Sequence, residues 1–148
     1  MPAMGRALLV YDDDCGFCRV CLAVVLAWDR RRRIRPVALQ SEEAARRLAG
    51  MPETERMASW HLARADGTVH SAGSAFGPLF RELPGGAGLA ALANRFPRAA
   101  ERGYALVARN RSVLGRALPR SARRWADATI ERCREDRNST PADWLSAR

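Results

Sequence analysis

Lysine is absent: every one of the 25 basic residues is an arginine. That uniformity reads as a coding-composition bias rather than as selection for a guanidinium at each site. Against 16 acidic residues it leaves a net charge of +9, which bears on non-specific attraction of anions and not on fold. Long hydrophobic runs are lacking too. The longest apolar stretch, residues 20–28, is far short of the ~20 residues a membrane span needs. The apolar run ahead of the first acidic block is too short for a signal peptide. The expectation is a cytoplasmic protein without a membrane segment. Aromatic residues make up only 7% and are not interleaved with the arginines as single-strand binding sites require, so nucleic acid is not an expected partner. Histidine occurs only twice and cysteine four times. A reducing compartment keeps such cysteines from serving as structural staples, so a closely spaced pair there is catalytic, redox-sensing or metal-binding.

At 148 residues the chain is one domain by length and can bury a sizeable core without disulfides. It is organised around one stretch, LLVYDDDCGFCRVCLAVVLAWD, beginning at Leu8. An apolar run stops at Asp12-Asp13-Asp14 and passes through Cys15-Gly16-Phe17-Cys18 into an apolar segment of helical length. That order reads as strand, tight turn, dithiol, helix. A helix starting near Gly16 places Cys15 at its amino end, where unpaired N–H groups and the macrodipole favour a thiolate. Cys18, three residues on, shares that face and lies within disulfide reach. A Cys-x-x-Cys at a strand-to-helix turn is a thioredoxin-like redox signature, although zinc and iron–sulfur proteins use the same spacing.

Asp12-x-x-Cys15-x-x-Cys18 after a hydrophobic strand resembles the DCC family, small proteins classed as thiol-disulfide oxidoreductases and named for those three residues. Two later stretches are similar to that family as well: Leu39-Gln40-Ser41, and Val107-Ala108-Arg109-Asn110-Arg111. The three motifs in order span roughly residues 7–116 and are far more specific than a lone Cys-x-x-Cys. The resemblance implies a thioredoxin-like fold and a dithiol–disulfide activity without a cofactor, and it marks Gln40, Ser41, Arg109, Asn110 and Arg111 as supporting residues. It leaves the substrate open.

The rest of the chain fits an α/β fold with a central mixed sheet of about four strands flanked by helices. Strands are expected at residues 7–12 and 34–39, with Pro36 in the second arguing for an edge strand or an early strand position. A buried helix over 16–31 joins them and ends in Arg30-Arg31-Arg32-Arg33, which suits the negative end of its dipole. Ser41 caps a second helix over 42–49. Residues 50–56 read as a connection. A hairpin follows, 59–64 with 68–71, turning at Ala65-Asp66-Gly67. Its pattern puts Trp60, Leu62 and Val69 on one face and His61 with His70 on the other, where they read as strand residues rather than metal ligands. Ser74 is the expected cap of a helix over 75–83. Helices over 89–94 and 98–117 come next, the latter with a stripe at Ala100, Tyr104, Val107, Arg111, Leu114 and Leu118. Residues 1–118 form the thioredoxin-like part. Residues 119–148 read as a helical extension over 121–134, with a last capped turn at Thr140-Pro141-Ala142-Asp143, packing Trp125, Ile130 and Trp144 on the core.

In the expected chemistry Cys15 attacks a disulfide of a protein or low-molecular-weight substrate, and Cys18 resolves the mixed disulfide. An upstream reductant then reopens the Cys15–Cys18 bridge. The helix start lowers the Cys15 pKa and the three aspartates raise it, which favours the reducing direction. Asp12 ends a buried strand and serves as proton carrier for Cys18, as organiser of the turn, or as both. Asp13 and Asp14 are expected to be exposed, and any of the three could cap the helix. Arg111 interrupts the apolar stripe, so it either pairs with a buried carboxylate such as Asp12 or snorkels to solvent. The residues before the third strand, Met57-Ala58-Ser59, lack the proline that thioredoxins place opposite their dithiol. Cys21 supports a rival reading, a zinc, iron–sulfur or redox-sensing site of Cys15, Cys18 and Cys21 with Cys133 as a distant fourth ligand. The iron–sulfur spacing, however, calls for cysteine where Val25 stands.

Overall fold

The computed structural model describes residues 5–138. The apolar run becomes β1 (Ala7–Tyr11), buried along its whole length, and the dithiol segment becomes α1 (Gly16–Trp28). Next come β2 (Ile34–Ala38), α2 (Glu42–Arg47), α3 (Glu53–Ala58), β3 (His61–Ala63) and β4 (Val69–Ser71). A 3-10 turn, Ala72–Ala75, runs into α4 (Phe76–Glu82), followed by α5 (Ala87–Arg95), α6 (Pro97–Ala117) and α7 (Arg120–Asn138).

The four strands form one mixed sheet in the order β2-β1-β3-β4. β1 pairs parallel with β2, Leu9 opposite Pro36, and antiparallel with β3, Leu9 opposite Leu62. Pro36 is tolerated because β2 is an edge strand, where a missing N–H breaks no second ladder. Alternation along β1 feeds two cores. Ala7, Leu9 and Tyr11 pack with Leu22 and Leu26 of α1 and Ile130 of α7. Leu8 and Val10 pack on the other side with Val37, Leu39 and Ala44. A strand buried on both faces must be apolar throughout, and ALLVY is. The arrangement is a thioredoxin-like α/β fold, and it delivers the dithiol at the carboxyl end of its central strand.

Several expectations shift at element ends. α1 stops at Trp28 instead of residue 31 because buried Asp29 accepts hydrogen bonds from the backbone N–H of Arg33 (3.0 Å) and Ile34 (2.8 Å). That turn launches β2 and takes residues 30–33 out of the helix. Residues expected to be only a connection contain α3, whose first turn carries Glu53 and Glu55. The cap before α4 is Ser71 rather than Ser74: Ser74 Oγ accepts the Ser71 N–H and donates to the Ser71 carbonyl, closing the 3-10 turn.

The hairpin forms at Asp66-Gly67, with Gly67 at φ +86°, where a side chain would be strained. Its register pairs His61 with Ser71 and Leu62 with His70. The two histidines therefore lie on opposite faces, contrary to the pattern-based assignment, and Val69 shares a face with His61 rather than Leu62. His61 is fully buried, and its Nε2 donates to the Arg56 carbonyl at 2.9 Å while Nδ1 lies 2.7 Å from Ser71 Oγ. Burial lowers its pKa and keeps the ring neutral.

α7 is an integral wall of the first core. Ala126 and Ile130 are fully buried and Cys133 packs beside them. Trp125, expected to face the core, is 42% exposed, and it is Ala126 and Ile130 that face inward. The expected capped turn at residues 140–143 and the packing of Trp144 lie outside the described residues. No described helix is long and apolar enough to cross a membrane.

Candidate dithiol site

Cys15 is the N-cap of α1, with an extended backbone (φ −98°, ψ 111°). None of the three aspartates takes that position. The Cys15 sulfur instead accepts the backbone N–H of Cys18 at 3.3 Å, doing for the helix what a Ser or Asp oxygen does elsewhere. The Cys18 thiol donates to the same sulfur across 2.6 Å. Both cysteines are half-buried and unbridged, and a small side-chain adjustment separates this contact from a covalent bond of about 2.05 Å. Burial first, then the hydrogen bond to Cys15, push the Cys18 thiol well above the usual range, while Arg111 pulls it down.

The aspartate turn is held by a residue from the far side of the sheet edge. Gln40, in the β2–α2 connection, donates through Nε2 to Asp12 Oδ1 (2.9 Å) and Asp14 Oδ2 (3.2 Å) and accepts the Asp13 N–H (3.3 Å). Asp12 Oδ1 also accepts the Asp14 N–H (3.1 Å). Asp12 thus organises the turn, and its other oxygen lies 3.5 Å from Arg111 Nη1. The stripe of α6 therefore brings Arg111 to the dithiol as a pairing partner of Asp12.

Asp13 departs from expectation. It is half-buried and accepts from Tyr11 Oη (2.8 Å), from Arg19 of α1 and from Arg134 of α7 (3.5 Å). Arg134 also donates to Tyr11 Oη, and Arg19 reaches Asp127 at 2.9 Å. Burial and the Asp13 hydrogen bond raise the Tyr11 pKa and keep the phenol protonated. Asp14 is exposed, as expected.

Other marked residues fall elsewhere. Ser41 is a helix cap, its Oγ accepting the Ala44 N–H at 3.2 Å and donating to the Ala38 carbonyl at 2.7 Å. Arg109 and Asn110 are exposed on α6, and Asn110 donates to the Leu106 carbonyl of its own helix. One turn places Arg111 inward and its two neighbours outward. Among the described residues no three His, Cys, Asp or Glu side chains converge as a metal ion would need. Cys133 packs on the core, and burial pushes Cys21 up to about 11.

Beside the dithiol lies an open cavity of about 390 Å³. Cys18, Cys21 and Phe17 line it from α1, and Cys15 lies outside it. Its far walls are Trp60, Phe76 and Tyr104, with Trp60 and Tyr104 stacked at 5.9 Å and Phe76 edge-on to Trp60 at 5.4 Å. Tyr104 Oη accepts the Trp60 N–H at 3.0 Å, locking α6 to the start of β3. α6 also crosses directly over Gly73, whose absent Cβ would stand 2.6 Å from the Glu101 Cα. The Tyr104 position in the α6 stripe was legible, but Trp60 and Phe76 come from separate elements and no local pattern joins them. Arg19 and Arg134 were missed for the same reason.

The arrangement, a thiol and its partner sulfur in contact at a helix start beside a carboxylate–guanidinium pair, is equipped for thiol–disulfide exchange. No curated protein and no solved structure matches the chain. Residues 9–117, which carry the dithiol turn, Gln40 and Arg111, match the family model described as DCC1-like thiol-disulfide oxidoreductase, and the chain belongs to that family.

Proposed function

We propose that the protein reduces disulfides of protein or low-molecular-weight substrates in the cytoplasm, with Cys15 as nucleophile and Cys18 as resolving thiol. The observation that carries this reading is the 2.6 Å contact between the two sulfurs at the first turn of α1. Cys15 attacks one sulfur of a substrate disulfide, forms a mixed disulfide and releases the other half as a thiolate. Cys18 gives up its proton, attacks the Cys15 sulfur and releases the second substrate thiolate, leaving a Cys15–Cys18 bridge. Asp12, which shares the cavity wall with Cys18, takes that proton, and Arg111 steadies the carboxylate that does so. An external thiol reductant closes the cycle.

The test is a trapping experiment with a disulfide-containing protein substrate. Cys18→Ser accumulates a mixed disulfide on Cys15, whereas Cys15→Ser forms none and loses turnover by about a hundredfold or more. Equal turnover in both variants and wild type would contradict the assignment.

A further inference from the structure

Of the two redox cysteines only Cys18 lines the 390 Å³ cavity. Disulfide exchange displaces the leaving sulfur in line with the attacking one. A thiolate seated in the cavity meets Cys18 and not Cys15, so attack from there falls on Cys18 and expels Cys15. The expelled sulfur keeps a donor waiting for it, the Cys18 N–H at 3.3 Å.

The walls restrict what such a thiol can be. A volume of about 390 Å³ lies at the small end of ligand pockets, which run from roughly 300 to 1,000 Å³, so it admits a small molecule and not a folded protein. The aromatic walls and Val107 offer apolar contact. The two charged side chains that reach the cavity, Asp12 and Arg111, face each other at 3.5 Å, leaving no uncompensated charge to pair with a ligand's carboxylate or ammonium group.

We propose that this cavity is the port for the reductant, seating a small uncharged dithiol on an apolar chain, without hydroxyls beside its thiols, that reopens the Cys15–Cys18 disulfide by attack on Cys18. The inference rests on the dithiol cycle proposed above and names the chemistry of its electron donor. One thiolate of the ligand bonds to the Cys18 sulfur as the Cys15–Cys18 bond breaks, and the electron pair leaves on Cys15. The second ligand thiol then attacks its own mixed disulfide, closing a cyclic disulfide and releasing Cys18. Two electrons pass from the dithiol to Cys15 and Cys18; one proton comes with the second ligand thiol, and the proton that the first thiol lost before its attack returns from water. A monothiol would need a second molecule in the same cavity for that last step.

The test compares reductants on the oxidised protein at one pH, with rates corrected for thiolate fraction: dihydrolipoamide as the uncharged aliphatic dithiol, dithiothreitol as a polar dithiol, glutathione as a charged monothiol. Gly103 lines the cavity, and a Cβ added there would meet no atom within 4 Å, so Gly103→Leu starts a bulky side chain from open space at the cavity wall. Gly88→Leu, at an equally open helical glycine on α5, is the control. Dihydrolipoamide is expected to react at least tenfold faster than dithiothreitol, a ratio that Gly103→Leu cuts about tenfold and Gly88→Leu leaves in place. A ratio near one, glutathione as fast as dihydrolipoamide, or a ratio insensitive to Gly103→Leu would overturn the port. Failure of the protein to form a Cys15–Cys18 disulfide at all would instead overturn the dithiol cycle, and it is read before any reductant is added.

Discussion

Two opposite charges act on one thiol at the dithiol site. Arg111 pulls the Cys18 pKa down and Asp12 pushes it up, on top of the larger effects of burial and of Cys15. Arg111→Ala should therefore raise the Cys18 pKa and slow its alkylation at fixed pH by roughly two- to fivefold, the scale of a partly exposed ion pair. Asp12→Asn should act in the other direction. Mass-resolved alkylation of Cys18 against pH reads both, and shifts of the same sign would contradict the assignment. Arg111 was legible as an anomaly, a charge interrupting an apolar stripe, and Cys15 and Cys18 were legible from spacing alone. Asp13 was not. Its partners Arg19 and Arg134 stand 6 and 121 residues away, and nothing local marks a guanidinium that crosses the fold.

At the scale of elements, α7 is the part of the chain that the sequence undersold. It lies beyond the family match, which ends at residue 117, yet Ala126 and Ile130 complete the core under α1 and Arg134 grips the aspartate turn. Ile130→Ala should cost about 2–5 kcal/mol, as deletion of a buried aliphatic side chain does, measured by denaturant unfolding. A cost below about 0.5 kcal/mol, the scale of a surface substitution, would mean that α7 packs loosely. The strand–helix order was legible because each element is defined by its own periodicity. The hairpin turn was legible too, and with it the pairing of Arg64 with Thr68; the faces were misassigned because residues paired across a hairpin share a face, which sets Leu62 with His70 and not with Val69. The end of α1 was set by Asp29, a carboxylate bonding forward to backbone N–H groups, which periodicity does not reveal. Gln40 came from a motif, but its clamp on Asp12, Asp13 and Asp14 depends on β2 lying parallel beside β1.

At the scale of the whole molecule, buried thiols make stability depend on pH. An unfolded cysteine ionises near 9, whereas Cys21 holds its proton to about 11. Its contribution is complete below pH 9 and is lost as pH rises through that window, up to about 3 kcal/mol by pH 11. Cys18 adds to the loss in the same direction. Urea unfolding of the reduced protein at pH 7, 9 and 10.5 should give falling stability, and Cys21→Ala should flatten the fall. A wild-type stability independent of pH would place Cys21 in water.

All of these effects converge on a pair of sulfurs built to exchange partners. The most direct measurement is a redox titration of the purified, metal-checked protein, with alkylation and mass mapping to report which cysteines pair and at what potential. Reversible pairing of Cys15 with Cys18, near the poise of cytosolic reductases or somewhat above it, with Cys21 and Cys133 remaining as thiols, is the predicted result. Resistance of Cys15 and Cys18 to pairing, or their protection until a chelator removes a metal, would contradict the account.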